Sequence, residues 1–229
     1  MTTQQELKHS LDEQLAAAAT AERTDALIAE LAQRAAEAGL LEAGYDYVDS
    51  PLGRLLVAAT PVGVVRVGFE SEREERVLSE LTRRVSSRVL RAPSLVDDAR
   101  RQLTEYFEGG RDRFRLDLDW RLSAGFRRRV LLVTAQIPFG ETRSYREVAV
   151  AAGSPNAVRA AGSALANNPL PIIVPCHRVL EVSNYADPIS PYGGVISKRR
   201  LLSIEGAHLV ASKTLFEVLL PVAPPRPPT

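Results

Sequence analysis

The sequence is poor in the residues that mark disulfide-linked, zinc-binding and membrane proteins: it has one cysteine, three histidines and no long apolar run. A single cysteine cannot form a disulfide within the chain, and His9, His177 and His208 do not have the spacing of a zinc site. Because a transmembrane helix needs a run of about 18 apolar residues, no membrane span is predicted. The first residues, MTTQQELKHSLDEQ, lack the basic start and apolar core of a secretory signal. These absences predict a cytoplasmic protein without a metal site or a membrane partner.

Charge is unevenly distributed, although the net charge is only +1. Residues 1–120 hold 16 Lys and Arg against 22 Asp and Glu, whereas residues 121–215 hold 12 against 5. The earlier segment therefore carries a net charge of −6 and the later one +7. A basic region of this kind favours a polyanionic partner such as nucleic acid, although it can also serve only to keep a surface soluble.

Four regions follow one another along the chain. Apolar residues recur at three- and four-residue spacing over residues 5–42, which predicts one helix or a helical pair ended by Gly39 or Gly44. From Tyr45 the pattern changes to short β-rich runs and amphipathic helices, and from Ser123 it becomes mostly helical. We therefore predict a helical extension over residues 1–44, a small α+β domain over 45–120, a mostly helical domain over 121–210 and a proline-rich tail over 211–229.

The small domain is predicted to contain an antiparallel sheet. Residues 54–59 and 64–69 read as strands around TPVG, which is typical of a hairpin turn. Amphipathic spacing predicts helices over residues 72–87 and 94–110, and the alternation in RFRLDLDW, residues 113–120, predicts another strand. The predicted fold class is therefore α+β: a small N-terminal α/β domain with an antiparallel sheet, and a mostly helical C-terminal domain containing a helix-turn-helix.

The helix-turn-helix is predicted in the basic half. Ser144 and Glu147 have the spacing of a capping box at the start of its first helix, and Gly153 lies where that helix should end. Ser154 as N-cap and Pro155 as first helical residue predict the start of the second helix, which continues through NAVRAAGSALA. This alanine-rich helix has almost no long side chains. Such a surface either lets helices pack closely or lets the helix enter a DNA minor groove, which is only about 6 Å wide.

The single cysteine lies beside a histidine in IIVPCHRV, residues 172–179. Buried cysteines often serve as small hydrophobic residues, so a structural role is one interpretation. The other is chemical, because a thiol becomes a nucleophile when a neighbouring base takes its proton, and Cys176 and His177 supply the two parts. Adjacent side chains need not point the same way, so His177 can act through a bridging water. A third group such as Glu205 would orient it.

Four motifs occur in a fixed order: IPFGETRSYREVA (137–149), RAAGSALANNP (159–169), PCHRV (175–179) and KRRLLSIEG (198–206). On these motifs the chain resembles the O6-alkylguanine-DNA alkyltransferases, also called methylated-DNA–protein-cysteine methyltransferases, from about Tyr47 to Ala207. The resemblance implies irreversible transfer of an alkyl group from O6 of guanine to Cys176, once per molecule. The implied partner is double-stranded DNA containing O6-alkylguanine, with the damaged nucleotide flipped out of the duplex. It further implies a monomer that needs no cofactor.

The resemblance also implies roles for individual residues. Cys176 would be the alkyl acceptor, His177 the base that acts through water, and Glu205 the group that orients His177. Tyr145 corresponds to the tyrosine that meets guanine N3 and can protonate the leaving base, and Asn168 to the asparagine that braces the turn before the cysteine. The recognition helix would enter the minor groove. The residues expected to contact DNA are Arg159, Ala160, Ser163, Ala166, Asn167 and Arg178.

Two departures from the family pattern concern substrate binding. Many members have an arginine at the position of Ala166, where it fills the hole left by the flipped base, and Asn167 is at best a partial substitute. The loop after the active site, residues 181–192, lacks the early glycines of the family and contains two prolines. The residue that contacts O6 is therefore not assigned from the sequence.

Three other functions fit parts of the pattern. A relative that binds alkylguanine without repairing it would lack the cysteine, which this chain retains. A transcription regulator built on the helix-turn-helix would need a dimer interface and polar side chains on a major-groove helix. A Cys–His hydrolase would turn over, so covalent trapping without turnover distinguishes it from an alkyltransferase.

Overall fold

The computed structural model describes residues 23–24, 26–180 and 194–207. Residues 26–37 form helix α1, which ends at Gly39, with a φ of 66°, one of the two predicted positions. No helix in these ranges is both long enough and apolar enough to cross a membrane. The predictions for the start of the helical extension, for the loop 181–192 and for the tail concern residues outside these ranges.

A four-stranded sheet with the order β3-β2-β1-β4 forms the first part of the fold. Its strands are β1 (Ala43–Val48), β2 (Leu55–Thr60), β3 (Gly63–Gly68) and β4 (Val89–Arg91). The predicted hairpin of β2 and β3 is antiparallel, and β1, whose strand was not predicted, pairs antiparallel with β2. The short β4, which was not predicted, pairs parallel with β1 after the crossover helix α2 (Glu74–Arg84). The sheet is therefore mixed rather than wholly antiparallel.

Five further α-helices and two short strands follow along the described chain, together with three one-turn 3₁₀ helices. The helices are α3 (Pro93–Phe107), α4 (Gly125–Thr134), α5 (Tyr145–Ala151), α6 (Val158–Ala166) and α7 (Gly194–Ile204). The two-residue strands are β5 (Arg143–Ser144) and β6 (Val179–Leu180). The mostly helical character predicted for the second half of the chain is confirmed.

The β2–β3 hairpin turns at Pro61 and Val62, within the predicted TPVG turn. Gly63 has a φ of 147°, and a Cβ there would lie 2.2 Å from the carbonyl oxygen of Asp117. Glycine is therefore required for the chain near Asp117 to lie against the start of β3. The backbone N–H of Val64 donates to that same carbonyl over 2.8 Å.

The strand predicted over residues 113–120 is wrong. Its apolar side chains do pack against the core at alternate positions, but the segment makes a single isolated bridge, between Leu118 and Val64. The backbone N–H and C=O of Arg115 instead bond to the side chain of Gln102 on α3, over 2.7 and 3.0 Å. The alternation therefore indicated the buried face correctly, while these side-chain bonds prevent a continuous ladder.

The first helix of the predicted helix-turn-helix is α5. Its capping box is present: Ser144 Oγ accepts from the backbone N–H of Glu147 over 3.2 Å, and Glu147 Oε2 accepts from the backbone N–H of Ser144 over 2.7 Å. Gly153, with a φ of 76°, follows the last turn of α5. Both predicted ends of this helix are confirmed.

The start predicted for the second helix is wrong by three residues. Helix α6 begins at Val158, and Ser154 and Pro155 lie in the turn before it. The carbonyl oxygen of Ser154 accepts from the backbone N–H of Ala157 over 2.9 Å, which closes that turn. The cap-like residues therefore redirect the chain from α5 to α6.

One apolar core joins the sheet to helices α4 to α7. It includes Val57 of β2, Leu103 of α3 and Val130 of α4. The backbone N–H of Val67 in β3 also donates to the carbonyl oxygen of Pro169 over 2.9 Å. The sheet thus supports the segment that leads to the cysteine.

Candidate active site

The segment before the cysteine is a buried, irregular turn held by Asn168. The side chain of Asn168 donates through Nδ2 to the Val174 carbonyl over 2.8 Å and accepts at Oδ1 from the Leu170 N–H over 3.0 Å. Within the turn, Ile172 has a φ of 73°, which is strained for a β-branched residue. The contacts of Asn168 therefore brace a strained backbone at the position that the resemblance implied.

Cys176 and His177 are consecutive residues of a one-turn 3₁₀ helix, Cys176–Arg178. The cysteine is partly exposed and lines a cleft. Burial raises the pKa of its thiol above the ordinary 9.0, although the hydrogen bond from Asn168 and the charge of Lys198 act in the opposite direction. At neutral pH Cys176 is therefore a thiol and needs a base to become a nucleophile.

His177 presents one ring nitrogen to Glu205 and leaves the other free. Its Nε2 lies 2.8 Å from Glu205 Oε1, and we assign the ring proton to Nε2 because a carboxylate can only accept. Nδ1 is buried and has no hydrogen-bond partner among the described residues. Burial lowers the pKa of His177 below the ordinary 6.5, against the raising effect of Glu205. The neutral ring therefore holds a lone pair at Nδ1 that can take a proton.

Glu205 is the centre of a buried network. Its carboxylate accepts from the hydroxyl of Tyr106 over 2.7 Å, from His177, and from Nε and Nη2 of Arg178 over 2.8 and 2.9 Å. Burial raises the pKa of Glu205, but the hydrogen bonds from His177 and Arg178 outweigh it and lower the pKa from 4.5 to about 2. Glu205 is therefore a carboxylate that stays charged and fixes the ring of His177.

Tyr106 reaches this network from α3 and was not among the predicted site residues. It is fully buried, and its ring contacts those of Phe107, Phe114 and Phe139. Burial, together with the charge of Glu205, raises the pKa of Tyr106 well above 10.0, so the hydroxyl remains a donor. The apolar spacing of α3 indicates that Tyr106 is a core residue. No local pattern indicates that it faces a carboxylate 99 positions away.

Arg178 is buried, which contradicts the prediction that it contacts DNA. It is 5% exposed, binds Glu205 through two nitrogens and donates through Nη1 to the Ile137 carbonyl over 2.5 Å. A buried cation requires a paired anion and filled hydrogen bonds, and this guanidinium has both. The arginine of PCHRV therefore belongs to the Glu205 network and not to an exposed surface.

Tyr145 and Cys176 line the same cleft. The parallel pairing of β5 with β6 joins Ser144 to Leu180 and so brings the start of α5 beside the 3₁₀ helix. Lys198 of α7 also lines the cleft, with its Nζ 5.6 Å from the centre of the Tyr145 ring. A tyrosine, a thiol and a positive charge therefore meet in one cleft.

Apart from Arg159, helix α6 presents small side chains on its exposed face. Arg159, Ala160, Ser163 and Asn167 are exposed, as residues expected to contact DNA must be. Ala166 is half-buried and lines the cleft that contains the cysteine. The exposed face of α6 and the cleft are therefore adjacent, and they meet at Ala166.

Comparisons with known proteins identify relatives of both parts of the fold. The 6-O-methylguanine DNA methyltransferase DNA-binding domain matches residues 125–207, and the ribonuclease-like domain of the same proteins matches residues 44–120. The methylated-DNA–protein-cysteine methyltransferase of Mycolicibacterium paratuberculosis is 37% identical over 174 residues, which cover 76% of this chain and 98% of that protein. The constitutive methylated-DNA–protein-cysteine methyltransferase of Bacillus subtilis is 39% identical over 136 residues, which cover 59% of this chain and 79% of that protein.

Solved structures give the same result. The crystal structure of the Mycobacterium tuberculosis O6-methylguanine methyltransferase superposes with a TM-score of 0.63 at 35% identity, covering 76% of this chain and 99% of that chain. The M. tuberculosis OGT structure in complex with DNA has a TM-score of 0.59 at 35% identity, covering 71% of this chain and 92% of that chain. These similarities confirm the predicted α+β fold class.

Proposed function

This chain belongs to the methylated-DNA–protein-cysteine methyltransferase family, and from this premise we propose that it repairs DNA by moving an alkyl group from O6 of guanine to Cys176. One observation carries the proposal: the thiol opens on a cleft beside His177, whose Nδ1 is free and whose Nε2 is fixed by Glu205. Leaving a buried polar atom without a partner is unfavourable. A purely structural cysteine would not require such a neighbour, whereas a nucleophile requires this base.

The reaction begins at the thiol. A water carries the proton from Sγ of Cys176 to Nδ1 of His177, and Glu205 stabilises the resulting imidazolium through Nε2. The thiolate then attacks the alkyl carbon. The S–C bond forms as the C–O6 bond breaks, and the electron pair of the broken bond stays on guanine. This transfer is a nucleophilic substitution, so it needs neither an oxidant nor a reductant.

The departing guanine takes up a proton. Tyr145 lines the cleft with Cys176, and in the proposed complex its hydroxyl meets guanine N3 and supplies that proton. The positive charge of Lys198 beside the Tyr145 ring stabilises the negative charge that develops there. The proton held by His177 then restores the tyrosine through solvent. The products are guanine and a thioether at Cys176, and because the thioether is stable, each molecule reacts once.

The proposed substrate is double-stranded DNA with its damaged nucleotide flipped out, because O6 is inaccessible within the stacked duplex. The exposed face of α6 carries the small side chains that fit a minor groove of about 6 Å. The net charge of +7 over residues 121–215 favours contact with phosphates. Ala166 cannot fill the hole left by the flipped base, and the exposed Asn167 fills it only in part.

The proposal is tested by weighing the intact protein after incubation with a duplex that contains one O6-methylguanine. The mass should rise by one methyl group replacing a hydrogen and should not rise further in excess DNA, and an undamaged duplex should leave it unchanged. Cys176→Ala should bind the damaged duplex but gain no mass, because it lacks the acceptor. A methylated Cys176→Ala protein would refute the assignment. Repeated turnover without a mass gain would favour a hydrolase, and binding without transfer by the wild type would favour a non-repairing relative.

A further inference from the structure

One wall of the cleft comes from the sheet-containing part of the chain. Phe69, directly after β3, lines the cleft together with Cys176 and Tyr145, whereas the other described lining residues lie between positions 145 and 201. Phe69 is 6% exposed and packs in the core that joins the two parts of the fold. The size of the cleft therefore depends on a residue far from the four family motifs.

Buried polar contacts fix the position of Phe69. Its backbone N–H donates to Glu72 Oε1 over 2.9 Å, and its carbonyl accepts from the Glu72 N–H over 2.9 Å. The other oxygen of Glu72 pairs with Arg66, which also contacts Glu80 over 3.3 Å. Arg66 and Glu72 are 2% and 9% exposed. With the Val67 to Pro169 backbone bond two residues earlier, these contacts fix the backbone that carries the Phe69 ring.

The cleft is lined by both polar and apolar side chains. Tyr145, His177 and Lys198 supply polar groups, which suit the nitrogen and oxygen atoms of a purine. Phe69 belongs with the apolar lining side chains, which include Leu165, Ile172 and Leu201. An alkyl group on O6 must point at Sγ of Cys176, and any carbon beyond the first then needs apolar space.

We propose that Phe69 is a specificity-determining residue: its ring limits the size of the O6-alkyl group that can reach Cys176. The inference rests on the proposed function and adds to it a contribution from the sheet-containing part of the chain. Truncating the side chain to Ala removes the ring while leaving the backbone contacts with Glu72 in place. Space should then open among the apolar lining side chains of the cleft, and larger alkyl groups should fit.

The experiment compares wild type, Phe69→Leu and Phe69→Ala on two duplexes that differ only in carrying O6-methylguanine or O6-benzylguanine. The measured quantity is the ratio of the two second-order rate constants for alkylation of Cys176. A protein that is partly unfolded reacts more slowly with both substrates, so the ratio is insensitive to lost stability. We expect the benzyl-to-methyl ratio to rise at least about tenfold in Phe69→Ala and by less in Phe69→Leu, since pocket size discriminates by about this much.

Phe126→Ala is the matched control, because Phe126 packs against the same core but does not line the cleft. The benzyl-to-methyl ratio of rate constants in Phe126→Ala should equal that of the wild type. If Phe69→Ala does not fold, the smaller change to Leu still decides the question. Methyl transfer with an unchanged ratio in the folded Phe69 variants would overturn this inference and leave the proposed function standing. Failure of the wild type to accept a methyl group would overturn both.

Discussion

Replacing Glu205 by glutamine removes the charge on which the buried network depends. The carboxylate accepts from Tyr106, His177 and Arg178. A glutamine would keep one acceptor oxygen but turn an NH2 group towards these donors, and it would leave Arg178, 5% exposed, without its counter-charge. Breaking a buried ion pair by removing one partner costs about 3–5 kcal/mol. We expect Glu205→Gln to lower the free energy of unfolding by this amount at neutral pH.

The lowered pKa of Glu205 reflects the same interactions. A folded-state pKa of about 2 against the ordinary 4.5 corresponds to about 3 kcal/mol of stability. Because the folded-state pKa is the lower one, this contribution is fully present above about pH 5 and is lost as the pH falls towards 2. The stability difference between wild type and Glu205→Gln should therefore be constant near neutral pH and shrink in acid.

Urea unfolding followed by circular dichroism measures the loss. With a slope of about 2 kcal/mol per M, the midpoint of Glu205→Gln should lie about 2 M below that of the wild type. Glu141→Gln is the control, because this carboxylate is 50% exposed in its pair with Arg143 and should contribute less than about 1 kcal/mol. In Arg178→Met/Glu205→Gln the unpaired cation is gone, so part of the loss should be recovered. Equal midpoints for wild type and Glu205→Gln would refute the reasoning.

The remaining predictions concern pH and salt. Burial lowers the pKa of His177 below 6.5, so the ring stays neutral and able to accept a proton down to about that pH. The rate of alkyl transfer, measured by stopped flow, should therefore stay constant from about pH 8 to about pH 6.5 and fall only in more acid solution. A rate that already halves near pH 7 would contradict this. Arg159→Ala should weaken binding to damaged and undamaged duplexes equally and reduce the slope of log affinity against log salt by about 1, as measured by fluorescence anisotropy. A loss confined to the damaged duplex would show that Arg159 reads the lesion and not the phosphates.

Local signals in the sequence predicted helix α5 well, although they misplaced the start of α6 and predicted a strand over residues 113–120 that does not form. The Ser144–Glu147 capping box and Gly153 define α5 through contacts within a few residues, which a sequence pattern can show. The Glu205 network depends instead on contacts between distant positions. Tyr106 and Glu205 are 99 residues apart, and although the spacing of α3 indicates that Tyr106 is buried, no local pattern indicates which carboxylate it contacts. The exposed role predicted for Arg178 failed for the same reason, because its partners Glu205 and Ile137 come from separate segments.

Burial, with a contribution from Arg178, explains why Cys176 and His177 are neutral at rest. A carboxylate bonded only to His177 would raise the pKa of the ring and favour a thiolate–imidazolium pair, which reacts with any electrophile that reaches it. Here burial lowers the pKa of His177 and raises that of Cys176, while the charge of Arg178 opposes the effect of Glu205 on the ring. Both groups therefore rest in their neutral forms. A protein that can react only once, as proposed, gains from this arrangement, because its thiolate forms at the moment of transfer and is not consumed by other alkylating agents beforehand.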